Sequence, residues 1–426
     1  VRGFDARTGK MKWIFHTIPQ EGEFGNNTWE EASWKYSGNT NVWSMFAIDE
    51  ELGYVYMPVS TPTNDMYGGH RLGDNLFAET LVCVDGETGK RIWHFQAVHH
   101  GVWDYDFPTA PNIMDITVDG KKIKAVAQPS KQAFLYVFDR ITGKPVWPIE
   151  ERAVPQSTVP GERTAPTQPH PTRPEAYDHQ GLTEDDLIDY TPELRAAAVK
   201  MVEGYDMGPL FTPPNEKKGT IGHPSAGGGS NWQGAAYDPE TQLLYLPSAG
   251  GMGYWRAVEP DANRSNLRYV SSFIAGGAPG GIKGLPITKP PYSRITAIDM
   301  NTGDHKWMTP HGDGPVNHPE LKDLNLGPLG IPGSQGNGPL LTKTLLLVTQ
   351  GGRGNSTERD GQHKFNVYDK ATGEWLGLIP LPATPYGNPI TYTHNGKQYI
   401  SVACGGGGFF GGPSRFPAEL VTLALP

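Results

Sequence analysis

One pattern, Asp-x-x-Thr-Gly-x-x-x-Trp, recurs along this chain and limits its fold more than any other feature. It stands at Asp5, Thr8, Gly9 and Trp13, and again at Asp85, Thr88, Gly89 and Trp93. Further copies lie at Asp139, Thr142, Gly143 and Trp147, and at Asp299, Thr302, Gly303 and Trp307. A variant at Asp369, Thr372 and Gly373 carries its indole early, at Trp375. Apolar runs such as Leu81-Val82-Cys83-Val84 and Leu135-Tyr136-Val137-Phe138 precede the Asp. Each unit reads as strand, turn, strand, with Gly supplying the positive φ of a hairpin. The Trp of the second strand is placed to pack against a neighbouring unit.

A second hairpin signature lies upstream of some copies: Ala47–Pro58, and its counterpart Ala236–Pro247. Two hairpins per unit make a four-stranded blade. Self-similar blades predict an all-β fold, the β-propeller. Spacing between copies is uneven, and the longest interval, Asp139 to Asp299, requires an insertion. That insertion is read at 148–224, rich in Pro, Thr, Glu and His. Within it, Thr183 caps a helical piece beginning Glu184-Asp185-Asp186, and Thr191-Pro192-Glu193 opens a second piece running to Met201. Acids after a Thr cap and Pro at the first position are helix starts. The insertion is expected on the propeller face, covering a neighbouring blade in preference to closing a pocket. The chain opens inside a unit and closes on a lone strand, Glu419–Pro426, after Gly-rich Cys404–Gly412. We expect residues 1–426 to form one incomplete propeller of about five to six blades, with N-terminal blades missing, because a propeller must close to remove its edges.

Gly (54) and Pro (39) are spread between apolar runs and mark turns, not disorder. A net charge of −9 with no basic stripe excludes a nucleic-acid partner. Cys83 and Cys404 are far apart and form neither a zinc ribbon nor a haem-attachment motif. No apolar run reaches the roughly 18–20 residues of a membrane helix.

Polar and aromatic residues are densest at His99-His100-Gly101-Val102-Trp103-Asp104-Tyr105-Asp106-Phe107, a loop between strand-like runs. Loops held by a rigid scaffold carry chemistry. A turn with packed aromatics and capping acids fits the same residues.

Taken together, the repeat resembles the tryptophan-docking motif of the quinoprotein dehydrogenases, eight-bladed propellers that use pyrroloquinoline quinone (PQQ) and a divalent metal, usually calcium. The resemblance covers nearly the whole chain and is closest to the branch without haem that contains membrane-bound glucose, quinate and polyol dehydrogenases. WD-repeat propellers match less well, since Trp103-Asp104 occurs outside the repeat. His99–Asp106 resembles the family's catalytic loop, which implies Asp104 as base, with His99, His100 and Trp103 at the substrate or just behind it. The glucose branch often has Asp where this chain has Gly101. Ser130-Lys131-Gln132-Ala133-Phe134 resembles the strand that sets a Lys against the quinone oxygens. Asn39–Trp43 resembles the segment whose Trp forms the floor under PQQ. Ser230-Asn231-Trp232 resembles the segment that contacts the cofactor, which implies Asn231 and Trp232. Ser60–Gly69 is similar to a metal-site loop and points to Thr61 as a ligand. The family's vicinal Cys pair, a mark of the methanol and ethanol branch, does not occur in this sequence.

What the resemblance implies is oxidation of an alcohol, polyol or aldose in the periplasm. Membrane attachment would come through a missing N-terminal segment. A membrane quinone or a cytochrome would take the electrons, and Ca²⁺ or Mg²⁺ would serve as the metal. A carboxylate can take the hydroxyl proton, a metal can polarise the quinone oxygen, and an ammonium can stabilise charge developing there. Asp106 competes with Asp104 as the base. The bland roles are a turn cap for Asp104 or Asn231, a salt-bridged Lys131, blade core for Trp43 and structural histidines. A non-catalytic propeller scaffold of the outer-membrane assembly-factor type, or an inactive remnant, would keep the repeat without needing the set at 43, 104 and 131.

Overall fold

The structure is a computed structural model that describes residues 1–271, 278–333, 338–351, 363–406 and 417–424. Part of the Gly-rich run, 407–412, lies outside the described residues. The chain forms successive antiparallel sheets in sequence order. Arg2–Phe4 pairs with Met11–Ile14. Ala47–Asp49, Tyr54–Pro58, Thr80–Asp85 and Arg91–Gln96 form a four-stranded sheet. Ala236–Asp238, Leu243–Ser248, Arg294–Asp299 and His305–Pro310 repeat that order, as do Pro339–Leu341, Leu345–Gln350, Lys364–Asp369 and Trp375–Pro380. These are propeller blades, and both predicted hairpins are present, Ala47 facing Tyr56 and Ala236 facing Tyr245.

Two units depart from the expected form. The unit of Asp139 has three strands, Asn112–Val118, Lys121–Pro129 and Leu135–Asp139. Its fourth is reduced to a single bridge, Phe138 to Pro145. Pro145 and Pro148 flank that segment, and proline has no N–H for a ladder. The closing strand is not lone: Glu419–Ala424 pairs with Lys397–Cys404, which also pairs with Ile390–His394.

The repeat supplies two separate contacts. Inside the turns at 5, 85, 139 and 369, the Asp side chain holds the Thr. Asp85 Oδ1 accepts from the Thr88 amide at 2.7 Å and its hydroxyl at 2.7 Å, and Asp139 does the same for Thr142 at 2.8 and 2.9 Å. Between units, the Trp docks on the next turn. Trp13 Nε1 donates to Gly86 O at 3.0 Å, Trp93 Nε1 to Arg140 O at 3.1 Å and Trp307 Nε1 to Lys370 O at 3.2 Å. Gly143 is needed twice over: its φ is +73°, and a Cβ there would lie 2.6 Å from the Trp93 ring. Trp147 lies in the same way against Gly303. The early indole, Trp375, is 54% exposed.

Apolar clusters fill the spaces between sheets. One joins Tyr56, Leu81 and Cys83 to Val126, Tyr136 and Phe138; others join Leu135 to Leu244 and Ile298, Tyr245 to Leu346, and Leu347 to Val402. The insertion holds the strands Ile149–Ala153 and Thr167–Pro171, the 3₁₀ turn Glu184–Asp186 with a Thr183–Asp186 capping box, and the helix Pro192–Val202 capped by Thr191. It reaches the 99–107 loop: Trp103 Nε1 donates to Thr212 O at 2.9 Å, and Tyr105 Oη donates to Pro224 O at 2.8 Å. Its Leu210 and Phe211 also join the apolar cluster of Tyr56, Trp93 and Phe138, so the insertion packs on neighbouring blades as well as on this loop. Among the described residues no helix is long and apolar enough to cross a membrane.

Candidate active site

Loops from neighbouring sheets converge on Lys131. This residue lies not on the expected strand but in the turn between the strands Lys121–Pro129 and Leu135–Asp139, where Ala133 N donates to Ser130 O, and it is buried. Its Nζ donates to Asp106 Oδ2 at 2.8 Å and to the carbonyl of Asp104 at 2.8 Å, and lies 3.2 Å from Asp104 Oδ1. From the opposite side, the amide of Thr61 donates to Asp106 Oδ1. Both oxygens of Asp106 are thus occupied. Asp104 leaves 22% of its side chain exposed, against 8% for Asp106. Of the two carboxylates, Asp104 is the one a ligand can reach.

Their electrostatics differ accordingly. Burial pushes the Asp104 carboxyl well above its ordinary range, against the pull of Lys131. For Asp106 burial acts the same way, but the Lys131 ammonium and the bond from Thr61 outweigh it and hold the group low. Burial also disfavours the charged form of Lys131, but the two aspartates overcome it and raise the group further. A carboxylate with raised proton affinity is the better proton acceptor of the pair.

Further carboxyls stand close by. Glu79 is fully buried. Its Oε1 accepts from Thr61 Oγ1 at 3.0 Å, and its Oε2 has no partner among the described residues. Burial and Asp106 push Glu79 up to about 8. Asp65 is raised by burial and by Asp106. The carboxyls of Asp65, Glu79, Asp104 and Asp106 outnumber the cations of Lys131 and Arg71. A buried excess of negative charge requires protons or a bound cation. The donor set is all oxygen, including the Thr61 hydroxyl, which suits a hard divalent ion such as Ca²⁺ or Mg²⁺. Among the described residues no group of three His, Cys, Asp or Glu side chains could hold a metal by itself.

The loop backbone is braced from outside. Arg71, fully buried, donates from Nη2 to Gly101 O at 2.7 Å and to Asn64 O at 2.9 Å. His100 Nε2 meets Glu162 Oε1 of the insertion at 2.6 Å, and its Nδ1 meets Gly73 O at 2.7 Å. The pairing with His100 overcomes burial and lowers Glu162 to about 2. Glu79, His100 and Asp104 all have left-handed backbones, φ +48°, +50° and +59°. Such conformations cost non-glycine residues on the order of 1–3 kcal/mol each and persist where surroundings enforce them.

The other predicted residues fall into distinct positions. Trp43 belongs to a segment tied to the same loops: Thr40 N donates to Thr61 O at 3.2 Å, and Ser44 Oγ to Pro108 O at 2.8 Å. The Trp43 and Trp232 rings are 5.3 Å apart, edge to face at 62°, and Trp232 is 54% exposed. They offer indole surface for a flat ring system. Asn231 sits one turn from Lys131, donating to Gly227 O at 2.8 Å, while Gly229 N donates to Lys131 O at 2.8 Å. Trp103 is buried against Phe211. His99 faces Glu151 at 3.1 Å and Gln96 at 3.1 Å. The turn that closes on Lys131 also contributes Ser225 to a cavity of about 490 Å³, lined by Asp178, His223, Tyr292 and Arg294 but not by Asp104. Sequence reasoning missed Glu79, Arg71 and Glu162. A signal existed for Glu79, an acid inside the apolar run Leu76-Phe77-Ala78-Glu79-Thr80-Leu81.

The family described as "PQQ: Glucose/ethanol/alcohol dehydrogenase, beta-propeller domain" matches residues 1–400. The chain belongs to this family. It is 30% identical to the glycerol dehydrogenase large subunit of Gluconobacter thailandicus, over 100% of this chain and 59% of that protein. It is 29% identical to the quinoprotein glucose dehydrogenase of Escherichia coli (strain K12), over 100% of this chain and 54% of that protein. Among solved structures, the quinohemoprotein alcohol dehydrogenase of Comamonas testosteroni superposes with a TM-score of 0.65 at 21% identity, covering 99% of this chain and 56% of that one. The last is a likeness of fold. The chain spans between 54% and 59% of these relatives' lengths.

Proposed function

We propose that this chain is the PQQ-binding propeller of a dehydrogenase that oxidises the CH–OH group of a polyol, aldose or related alcohol. The observation that carries this reading is the buried Asp104–Lys131–Asp106 group, open to a ligand only at Asp104. A blade turn or a protein-binding scaffold has no need of a buried ammonium shared by two carboxylates. Relatives named for glycerol and glucose support a polyol or a sugar as substrate.

Trp43 and Trp232 would hold the flat cofactor, and Lys131, with Asn231 on the adjoining turn, would fix its polar edge. Thr61 and Asp104 would contribute oxygens to a divalent cation. Bound there, PQQ supplies an electrophilic carbonyl for the hydride, polarised by the cation. Asp104 accepts the hydroxyl proton of the substrate. Lys131 keeps a fixed positive charge beside the base and offsets negative charge developing in the site. Asp106, held on both oxygens, orients Lys131. We place the reaction in the periplasm, with electrons leaving to a membrane quinone or a separate cytochrome, as the family resemblance implies.

The test is reconstitution of the full-length protein with PQQ and Ca²⁺, followed by dye reduction with a panel of polyols, aldoses and simple alcohols. Turnover with at least one class is expected. No turnover together with no PQQ uptake would overturn the reading.

A further inference from the structure

Gly101 sits in the loop that carries Asp104, yet its backbone is not left-handed. What it needs is the absence of a side chain. A Cβ at this position would overlap both carboxylate oxygens of Glu79. Glu79 enters from the residue before the strand Thr80–Asp85 and fills this notch completely buried. Its Oε1 accepts a hydrogen bond from the Thr61 hydroxyl at 3.0 Å. The Thr61 amide is committed as well, to Asp106.

A threonine hydroxyl has a single proton and two lone pairs. With the proton directed at Glu79, the lone pairs of Thr61 Oγ1 face away from it. An acceptor oxygen held behind a ligand in this manner fixes the ligand's orientation. We propose that Glu79 is a positioning residue for the cation: it orients the Thr61 hydroxyl so that its lone pairs are offered to the ion, and Gly101 is the notch that admits it. The proposal rests on the reading of this site as one for PQQ and a divalent cation. It deepens that reading by assigning a role to a buried acid and a glycine that are distant in sequence.

The test uses full-length protein stripped of cation with a chelator and titrated with Ca²⁺ in the presence of PQQ. The readout is protein-bound PQQ absorbance, without substrate. Glu79→Gln, which keeps an acceptor oxygen, is expected to take up PQQ at Ca²⁺ concentrations close to those of the wild type. Glu79→Ala is expected to need on the order of 10-fold more Ca²⁺. Thr61→Val should show the same shift, and the Glu79→Ala/Thr61→Val double variant no further shift, because both act through one hydroxyl. Glu79→Ala/Gly101→Ala, which refills part of the notch, should restore thermal stability but not Ca²⁺ affinity. A Glu79→Ala protein that binds Ca²⁺ like the wild type, or shifts that add in the double variant, would overturn the role. A wild type that takes up neither PQQ nor Ca²⁺ would instead bring down the underlying reading of the site, and this role with it.

Discussion

At the hairpin turns, Asp5 and Asp85 lie in solvent and each binds the amide and hydroxyl of the Thr in its own motif. At 104 and 106, two aspartates share one buried ammonium, and Asp106 is also held by the amide of residue 61. The Thr bonds lower Asp5 and Asp85, so these acids are ionised and inert. Burial raises Asp104. The same side chain is therefore an ionised turn staple in one place and a buried carboxyl of raised proton affinity in the other. The difference lies in how far in sequence its partners are and how much water is excluded.

The largest effect should come from removing the shared cation. Lys131→Met keeps the volume but leaves buried carboxylates uncompensated. We expect a loss of about 3–5 kcal/mol of folding stability at neutral pH, read by urea unfolding, and smaller at acid pH where the carboxyls take up protons. Equal stability of the variant at neutral pH would erase the distinction between the two classes of aspartate.

Glu162 sharpens the comparison from the insertion side. Its carboxyl, ordinarily at 4.5, is held at about 2 in the folded protein, with His100 as its partner. A lowered carboxyl stabilises the fold above its unfolded value and loses that contribution as pH falls through its folded value. The contribution is on the order of 3 kcal/mol. Glu162→Gln should therefore flatten the fall in stability between about pH 4.5 and 2, measured by thermal unfolding across that range. An unchanged acid limb would mean that the insertion is not anchored through this pair.

The smallest effect belongs to the turns. Asp85→Ala loses only local bonds, to Glu87 and Thr88, at an exposed site. We expect its melting temperature to fall by less than about 4 °C, with cofactor uptake unchanged. A collapse of uptake would show that the turn staples and the site are coupled.

The same contrast explains what could be read from the sequence. The blades were legible because their determinants recur locally: Asp holds Thr within one turn, and Trp93 meets Gly143 in the next unit of a visible repeat. Thr61, Asp104 and Lys131 could be singled out because their segments resemble a known family, and the structure brings the three together. The fourth strand near Trp147 was overpredicted, since the repeat outweighed two prolines in the reading. Glu162 and Arg71 were not legible. Glu162 meets His100 across 62 positions, and Arg71 meets Gly101 across 30, with no shared pattern to connect them. The apolar run around Glu79 marks it as a buried acid, but nothing in the sequence pairs it with Gly101.

We propose Asp104 as the proton acceptor and Asp106 as its structural partner. The most direct measurement is turnover of Asp104→Asn reconstituted to full PQQ occupancy, with occupancy confirmed by absorbance before substrate is added. Loss of turnover by about 10²–10⁴-fold with PQQ still bound is the predicted result. Turnover near the wild-type rate would contradict it and move the role to Asp106 or to another group.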